Sequence, residues 1–241
     1  NLRQQAPINP YTGFPVLLLS FVTLAQFQLS MNFFCSLSQI HFNSKFLLLV
    51  TTDPNCYTLF KTYNIPIYLL NLSSCSVDYY GLTKLKIIVS KILLLLNFEC
   101  LLSDIDIEFF DSFDQYLFCP KTFDIGFWYE GGTVDVTENS LYHLINTGFT
   151  RFFPTYETLS LIDEWMIENK KYQKEHDQTC IQKLMADKNV IQCNYFEQNQ
   201  SELINRKGYW NCKIKNKSSF IWHIFPERKM VSGCEFLSNS I

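Results

Sequence analysis

Short, continuous apolar runs alternate along the first 110 residues with longer segments whose apolar side chains recur at helical spacing. The short runs predict buried strands and the longer segments predict helices. The predicted strands are residues 16–23, 46–52, 67–70 and 99–103, and the predicted helices are residues 26–40, 57–63 and 84–96. Strands and helices in this order are typical of a mostly parallel central sheet with helices on both faces.

The second half of the chain has a less regular pattern. Helices are predicted at residues 158–170 and 177–185, and short strand-like pieces lie at 190–193 and 220–223. No internal repeat or low-complexity linker divides the sequence. We therefore predict a single α/β domain over residues 1–241, with its core at about residues 16–229.

Composition narrows the class of protein further. The 241 residues are 47% hydrophobic and 18% charged, which supplies a full core and excludes a disordered chain. The net charge of −3 provides no basic field for nucleic acid, so no nucleic-acid partner is expected. The longest apolar stretches, residues 16–24 and 87–96, are shorter than the roughly 20 residues of a membrane span.

The chain has nine cysteines, and none of them forms a C-x-x-C pair. This excludes zinc-ribbon and thioredoxin-like sites. Buried thiols in a cytosolic core and disulfides in a secreted domain both remain open, while Asn-X-Ser sequons at Asn71, Asn199 and Asn216 favour the secretory pathway. The odd count predicts at least one free thiol, for which buried Cys100 is the best candidate.

Two acidic residues, Asp104 and Asp106, directly follow the fourth predicted strand. Ligands of open α/β sheets bind beyond the carboxyl ends of the strands, and residues i and i+2 of extended backbone point the same way. Two adjacent carboxylates repel each other unless a cation lies between them, and Mg²⁺ or Mn²⁺ suits such oxygen ligands. The alternative is a pair of solvated loop residues.

A phosphohydrolase with an aspartyl nucleophile would also place D-x-D after an apolar strand. In that class the motif follows the first strand and is followed by Thr or Val. Here three predicted strands precede it and Ile107 follows Asp106, which disfavours this interpretation.

Four segments surround the D-x-D motif in a specific order. They are Thr23-Leu24 at the end of the first strand, Lys86 on the helix before the motif, Asn146-Thr147-Gly148-Phe149, and Asp177-Gln178 at the start of a later helix. In this order and spacing the chain resembles the nucleotide-diphospho-sugar transferases, glycosyltransferases of the GT-A fold that include plant cell-wall xylosyl- and arabinosyltransferases. Where that family has a glycine at the end of the Lys86 helix, this chain has Asn97.

The resemblance implies a metal-dependent glycosyltransferase. Such an enzyme moves a sugar from a nucleotide-diphosphate sugar, most commonly a UDP-sugar, to a hydroxyl of a glycan or glycoprotein acceptor. The family resembles retaining transferases, which implies attack on the same face of a loose oxocarbenium-like species. The alternative is a non-catalytic relative that binds sugar or nucleotide.

The resemblance also implies roles for individual residues. Asp104, Asp106 and His223 would ligate Mn²⁺ or Mg²⁺, although a strand-end histidine can also simply bond to backbone. The donor-binding residues would be Thr23, Leu24, Lys86, Asp104, Gly148 and Lys229. Lys86 and Lys229 can instead be lysines without a functional role, whose ammonium groups reach solvent.

The catalytic residues implied by the resemblance are Asp104, Asn146, Asp177 and Gln178. Two of them have ordinary structural alternatives. The Asn-Thr-Gly segment can be a plain turn, and Asp177 stands where a helix N-cap belongs.

Eukaryotic members of such a family typically act in the Golgi lumen behind an N-terminal type II membrane anchor. The expectation from the resemblance is therefore a lumenal glycoprotein whose anchor lies upstream of Asn1, with the cytoplasm as the alternative.

Overall fold

The computed structural model of the protein describes residues 6–72, 78–109, 117–118, 121, 124–129, 145–188 and 221–223. These residues build a six-stranded sheet, a smaller two-stranded sheet and the helices that cover them. The strands of the large sheet are β1 (Val16–Phe21), β2 (Leu47–Thr51), β3 (Tyr68–Leu69), β4 (Glu99–Ser103), β6 (Ile125–Tyr129) and β7 (Ile145–Phe152). The small sheet pairs β5 (Ile107–Phe109) with β8 (Ile221–His223).

The large sheet has the strand order β3-β2-β1-β4-β7-β6. Strands β1 to β4 are parallel, whereas β7 runs antiparallel to both β4 and β6. Strands β1, β2 and β4 are buried along their whole length, as strands covered on both faces must be.

The described helices are α1 (Phe27–Gln39), α2 (Pro54–Thr62), α3 (Tyr79–Leu95), α4 (Tyr156–Lys171) and α5 (Asp177–Lys188). Side chains cap three of them at the N-terminus: Asp53 for α2, Asp78 for α3 and Thr155 for α4. Each cap satisfies backbone N–H groups that the first turn leaves without a partner.

Alternate residues of β1 point to two different cores. Leu17 and Leu19 face the core that contains Trp165 of α4 and Ile181 of α5. Leu18 belongs to the opposite core, which contains Phe33 of α1. The prediction of a mostly parallel sheet with helices on both faces is therefore confirmed.

Several boundaries differ from those predicted. Helix α3 begins at Tyr79 instead of residue 84, because Asp78 caps it and Gly81 and Thr83 are accommodated inside the helix. Strands β5, β6 and β7 were not predicted, and the Asn146–Phe149 segment lies within β7, so it is not a plain turn. The strand-like piece at 190–193 lies outside the described residues.

The passage from α3 to β4 requires a left-handed residue, and Asn97 has a φ of 58°. The N–H of Phe98 then donates to the Leu93 carbonyl at 2.9 Å, which closes the helix. Asparagine is the residue after glycine that tolerates this conformation best. Asn97 can therefore end the helix in the same way as the glycine that the family has at this position.

Among the cysteines that the structure describes, Cys56, Cys100 and Cys180 are free and buried. The predicted free thiol at Cys100 is confirmed, and burial raises its pKa to about 12. Cys35 is disulfide-bonded. Among the described residues, no helix combines the length and apolarity needed to cross a membrane.

A buried ion pair joins the start of β4 to the end of β7, at the end of the sheet opposite Asp104. The Glu99 carboxylate is fully buried and accepts hydrogen bonds from Arg151, Asn9 and Thr12. Arg151 also donates to the Leu117 carbonyl at 3.2 Å. The pair ties β4 to β7 and holds the N-terminal residues 9–12 against the sheet.

We predict that Arg151→Met lowers the free energy of unfolding by about 3–5 kcal/mol, because it leaves the Glu99 carboxylate buried without a cation. Lys91→Met is the matched control, since Lys91 pairs with the half-exposed Asp163 and its loss costs about 1 kcal/mol or less. Urea unfolding of both variants measures the difference. Equal losses for the two variants would contradict the assignment.

Candidate active site

The turn after β4 places Asp104, and the Ser103 carbonyl and both backbone groups of Asp104 have hydrogen-bond partners. The Ser20 hydroxyl donates to the Ser103 carbonyl at 2.8 Å, and the Ser103 hydroxyl donates to the Asp104 carbonyl at 3.0 Å. The Asp104 N–H donates to the Gly148 carbonyl at 2.7 Å. The start of the D-x-D turn is therefore fixed from both neighbouring strands, β1 and β7.

Lys86 of α3 forms an ion pair with the Asp104 carboxylate. The side chain of Lys86 is 16% exposed and that of Asp104 is 29% exposed, so solvent screens the pair incompletely. Burial alone would lower the pKa of the Lys86 ammonium, but Asp104, Asp177 and Asp106 together raise this pKa above its ordinary value. Lys86 therefore stays protonated and compensates an acidic site.

Gly148 lets the Asp104 carboxylate lie directly against β7. Its N–H donates to Asn146 Oδ1 at 2.6 Å. A Cβ atom at Gly148 would meet Asn146 Oδ1 at 2.8 Å and Asp104 Oδ2 at 3.1 Å. The absence of a side chain thus leaves room for both polar groups, which a larger residue would displace.

The first turn of α5 completes this group of residues. Asp177 is 5% exposed, and burial raises the pKa of its carboxyl although Lys86 lowers it. The Thr147 N–H of β7 donates to Gln178 Oε1 at 3.2 Å. Asp177 is the first residue of α5, where a carboxylate also interacts favourably with the helix dipole.

The structure thus brings together Lys86, Asp104, Asn146, Gly148, Asp177 and Gln178. Among the side chains that it describes, no three His, Cys, Asp or Glu residues converge as a metal-binding group. His223 lies on β8, and its backbone pairs with Ile107, the residue after Asp106.

The remaining predicted residues do not belong to this group of six. Thr23 and half-exposed Leu24 follow the end of β1, and the Thr23 hydroxyl donates to Gln26 Oε1 at 3.0 Å. Lys229 lies outside the described residues. Sequence reasoning missed Ser20 and Ser103, whose only signal was a hydroxyl inside each of two otherwise apolar strands.

The family model of the nucleotide-diphospho-sugar transferases matches residues 44–230 of the chain. This span is most of the sequence and includes the D-x-D turn, β7 and the start of α5. The chain therefore belongs to the nucleotide-diphospho-sugar transferase family, as its motifs predicted. No match was found among curated proteins.

Solved structures of glycosyltransferases are similar to this chain at low sequence identity, and one of them reaches a TM-score of 0.50. Mouse xyloside xylosyltransferase 1 in its apo form is 12% identical, with a TM-score of 0.50 over 86% of this chain and 96% of that one. The glycosyltransferase GlyE of Streptococcus pneumoniae TIGR4 is 12% identical, with a TM-score of 0.45 over 71% of this chain. The chain spans 44% of the length of the GlyE structure. The fold is that of the GT-A glycosyltransferases.

We predict that Asp177→Asn raises the free energy of unfolding at pH 7. Burial raises the pKa of this carboxyl from its ordinary 3.8. At pH values between the pKa of the unfolded chain and the higher pKa of the folded protein, the folded protein therefore binds more protons than the unfolded chain. Stability therefore falls as the pH rises through this interval, and asparagine removes the cost.

The gain in the free energy of unfolding of Asp177→Asn should be present at neutral pH and should vanish as the pH falls to about 4, near the carboxyl's ordinary pKa. Urea unfolding of both proteins at the two pH values measures it. A variant less stable than the wild type at pH 7 would contradict the electrostatic description of Asp177.

Proposed function

We propose that the protein is a metal-dependent, retaining glycosyltransferase. It moves a sugar from a nucleotide-diphosphate sugar, with a UDP-sugar as the first candidate, to a hydroxyl group of a glycan or glycoprotein. The observation that carries this proposal is the convergence of Lys86, Asp104, Gly148 and Asp177 at the carboxyl end of β4 in a chain of this family.

The residues present fit a divalent cation. Asp104 and Asp106 supply carboxylate oxygens, which are the ligands Mg²⁺ and Mn²⁺ prefer, and an imidazole suits Mn²⁺ as well. The pairing of β5 with β8 places the backbone of His223 opposite Ile107, beside Asp106. Asp104, Asp106 and His223 would hold the cation, which when bound neutralises the diphosphate leaving group.

The donor would lie along the carboxyl edge of the sheet. Thr23 and Leu24 follow β1 at this edge and are proposed to contact the nucleotide. Gly148 lets the Asp104 carboxylate lie against the backbone of β7, and Asp104 would accept hydrogen bonds from sugar or ribose hydroxyls. Lys86 orients Asp104, and Gly148 and Lys229 are proposed to contact the donor, Lys229 by adding positive charge near the phosphates.

The chemical step exchanges one bond at the sugar's anomeric carbon for another. The bond from this carbon to the phosphate oxygen breaks, the acceptor oxygen forms a new bond on the same face, and the departing phosphate oxygen takes the acceptor's proton. Asp177 would stabilise the positive charge that develops on the sugar ring. Asn146 and Gln178 would hold sugar and acceptor hydroxyls in place.

We propose the Golgi lumen as the site of action. The Cys35 disulfide and the three sequons agree with an oxidising compartment in which proteins are glycosylated. The xylosyltransferase among the similar structures makes xylose one of the sugars to examine first.

The cation site is tested by titrating UDP into the protein with and without Mn²⁺. Wild-type protein should bind UDP in the presence of Mn²⁺, and Asp106→Asn should weaken this binding at least about tenfold because it removes one charged ligand. Asp163→Asn on α4 is the control, since that carboxylate is exposed and pairs with Lys91. UDP binding that is unaffected by Mn²⁺ or by Asp106→Asn would refute the metal site.

Gly148→Ala tests the placement of Asn146 and Asp104. The added methyl group would clash with Asn146 Oδ1 and press on Asp104 Oδ2, so turnover of a nucleotide sugar should fall about 100-fold. Binding of UDP with Mn²⁺ should weaken as well, because Asp104 is a proposed cation ligand, and circular dichroism should show an intact fold. Full activity in the variant would show that turnover does not need Asn146 and Asp104 in these positions.

A further inference from the structure

The turn between α4 and α5, residues 172–176, leads directly to Asp177 and is held by side chains that have no role in the proposed chemistry. We propose that Lys84 and Trp165 are positioning residues, which fix this turn so that Asp177 and Gln178 meet the sugar at the right place. The inference rests on the proposed function and assigns two further residues to it.

Lys84 of α3 binds the beginning of the turn. Its ammonium donates to the Tyr172 carbonyl at 3.0 Å and to the Gln173 carbonyl at 2.7 Å. These carbonyls follow the last turn of α4, where the helix leaves its carbonyls without intrahelical partners and its dipole favours a cation. One flexible side chain thus anchors the end of α4 to α3.

Trp165 of α4 binds the end of the turn. Its indole ring is completely buried and packs against Phe127, with the ring centroids 6.0 Å apart. Its Nε1–H donates to the Asp177 carbonyl at 2.8 Å. A buried indole N–H needs an acceptor, and here the acceptor is the backbone of a proposed catalytic residue.

Side chains of helix α3 bind both this turn and the D-x-D turn. Lys84 holds the residues that lead to Asp177, while Lys86, two positions further along the same helix, pairs with Asp104. The ring of Tyr80, also on α3, lies edge-on to His176 with centroids 5.3 Å apart. The spacing between Asp104 and Asp177 is therefore set through α3 and does not depend on the turn alone.

Lys84→Met and Lys91→Met form a matched pair of variants for testing this proposal. Both lysines belong to α3 and both bind α4 or its end, but Lys91 pairs with Asp163 and does not reach the turn. Methionine keeps the aliphatic part of the side chain and removes the charge. Trp165→Phe is the second test variant, because it keeps an aromatic ring and removes the N–H donor.

Three readouts are needed. Hydrogen exchange followed by mass spectrometry over residues 172–183 reports whether the turn and the start of α5 are held. Steady-state release of nucleotide diphosphate reports turnover, and titration of UDP with Mn²⁺ reports the nucleotide site. A misplacement of about 1 Å can cost up to 100-fold in rate, so a tenfold loss is a conservative expectation.

Lys84→Met and Trp165→Phe should speed exchange over residues 172–183 and lower kcat about tenfold, with the UDP dissociation constant within twofold of the wild type. Lys91→Met should leave all three unchanged. Exchange that is the same in Lys84→Met and Lys91→Met would overturn the proposal, and faster exchange with a wild-type kcat would overturn the positioning role. If the wild type turns over no donor, the proposed function fails, and the exchange comparison alone decides whether these residues hold the Asp177–Gln178 pair.

Discussion

The ion pair between Lys86 and Asp104 is the interaction on which the site depends. Asp104, Asp106 and Asp177 all act on this one ammonium, and together they raise its pKa although burial opposes its charge. Without that cation, the carboxylates would repel one another in a partly desolvated space. Lys86 on α3 thus supplies the positive charge that compensates the acidic residues at the end of β4.

The same two strands, β4 and β7, have charged side chains near both of their ends. At one end the fully buried Glu99 meets Arg151. At the other end, Asp104 and Gly148 meet where Ser103 pairs with Phe149. The antiparallel register that the first pair helps to fix therefore determines how closely the second pair approaches.

The sequence predicted those parts of the structure that have strong local signals. Apolar runs identified β1, β2 and β4, and the D-x-D motif identified the end of the strand where the site forms. Strand β7 escaped prediction because Thr147, Thr150 and Arg151 interrupt its apolar residues, yet all three are buried in the folded chain. The hydrogen bonds of the Ser20 hydroxyl and the Trp165 indole could not be predicted either, since only the folded chain reveals which carbonyl each group binds.

We propose that this acidic cluster supports sugar transfer from a nucleotide-diphosphate donor. The most direct test is to incubate the purified protein with a panel of nucleotide sugars, with Mn²⁺ or with a chelator, and to measure the nucleotide diphosphate released. We predict release from at least one donor, and only when the divalent cation is present. Tight binding of donors without turnover of any of them would contradict it and would identify the chain as a non-catalytic binding relative of the same fold.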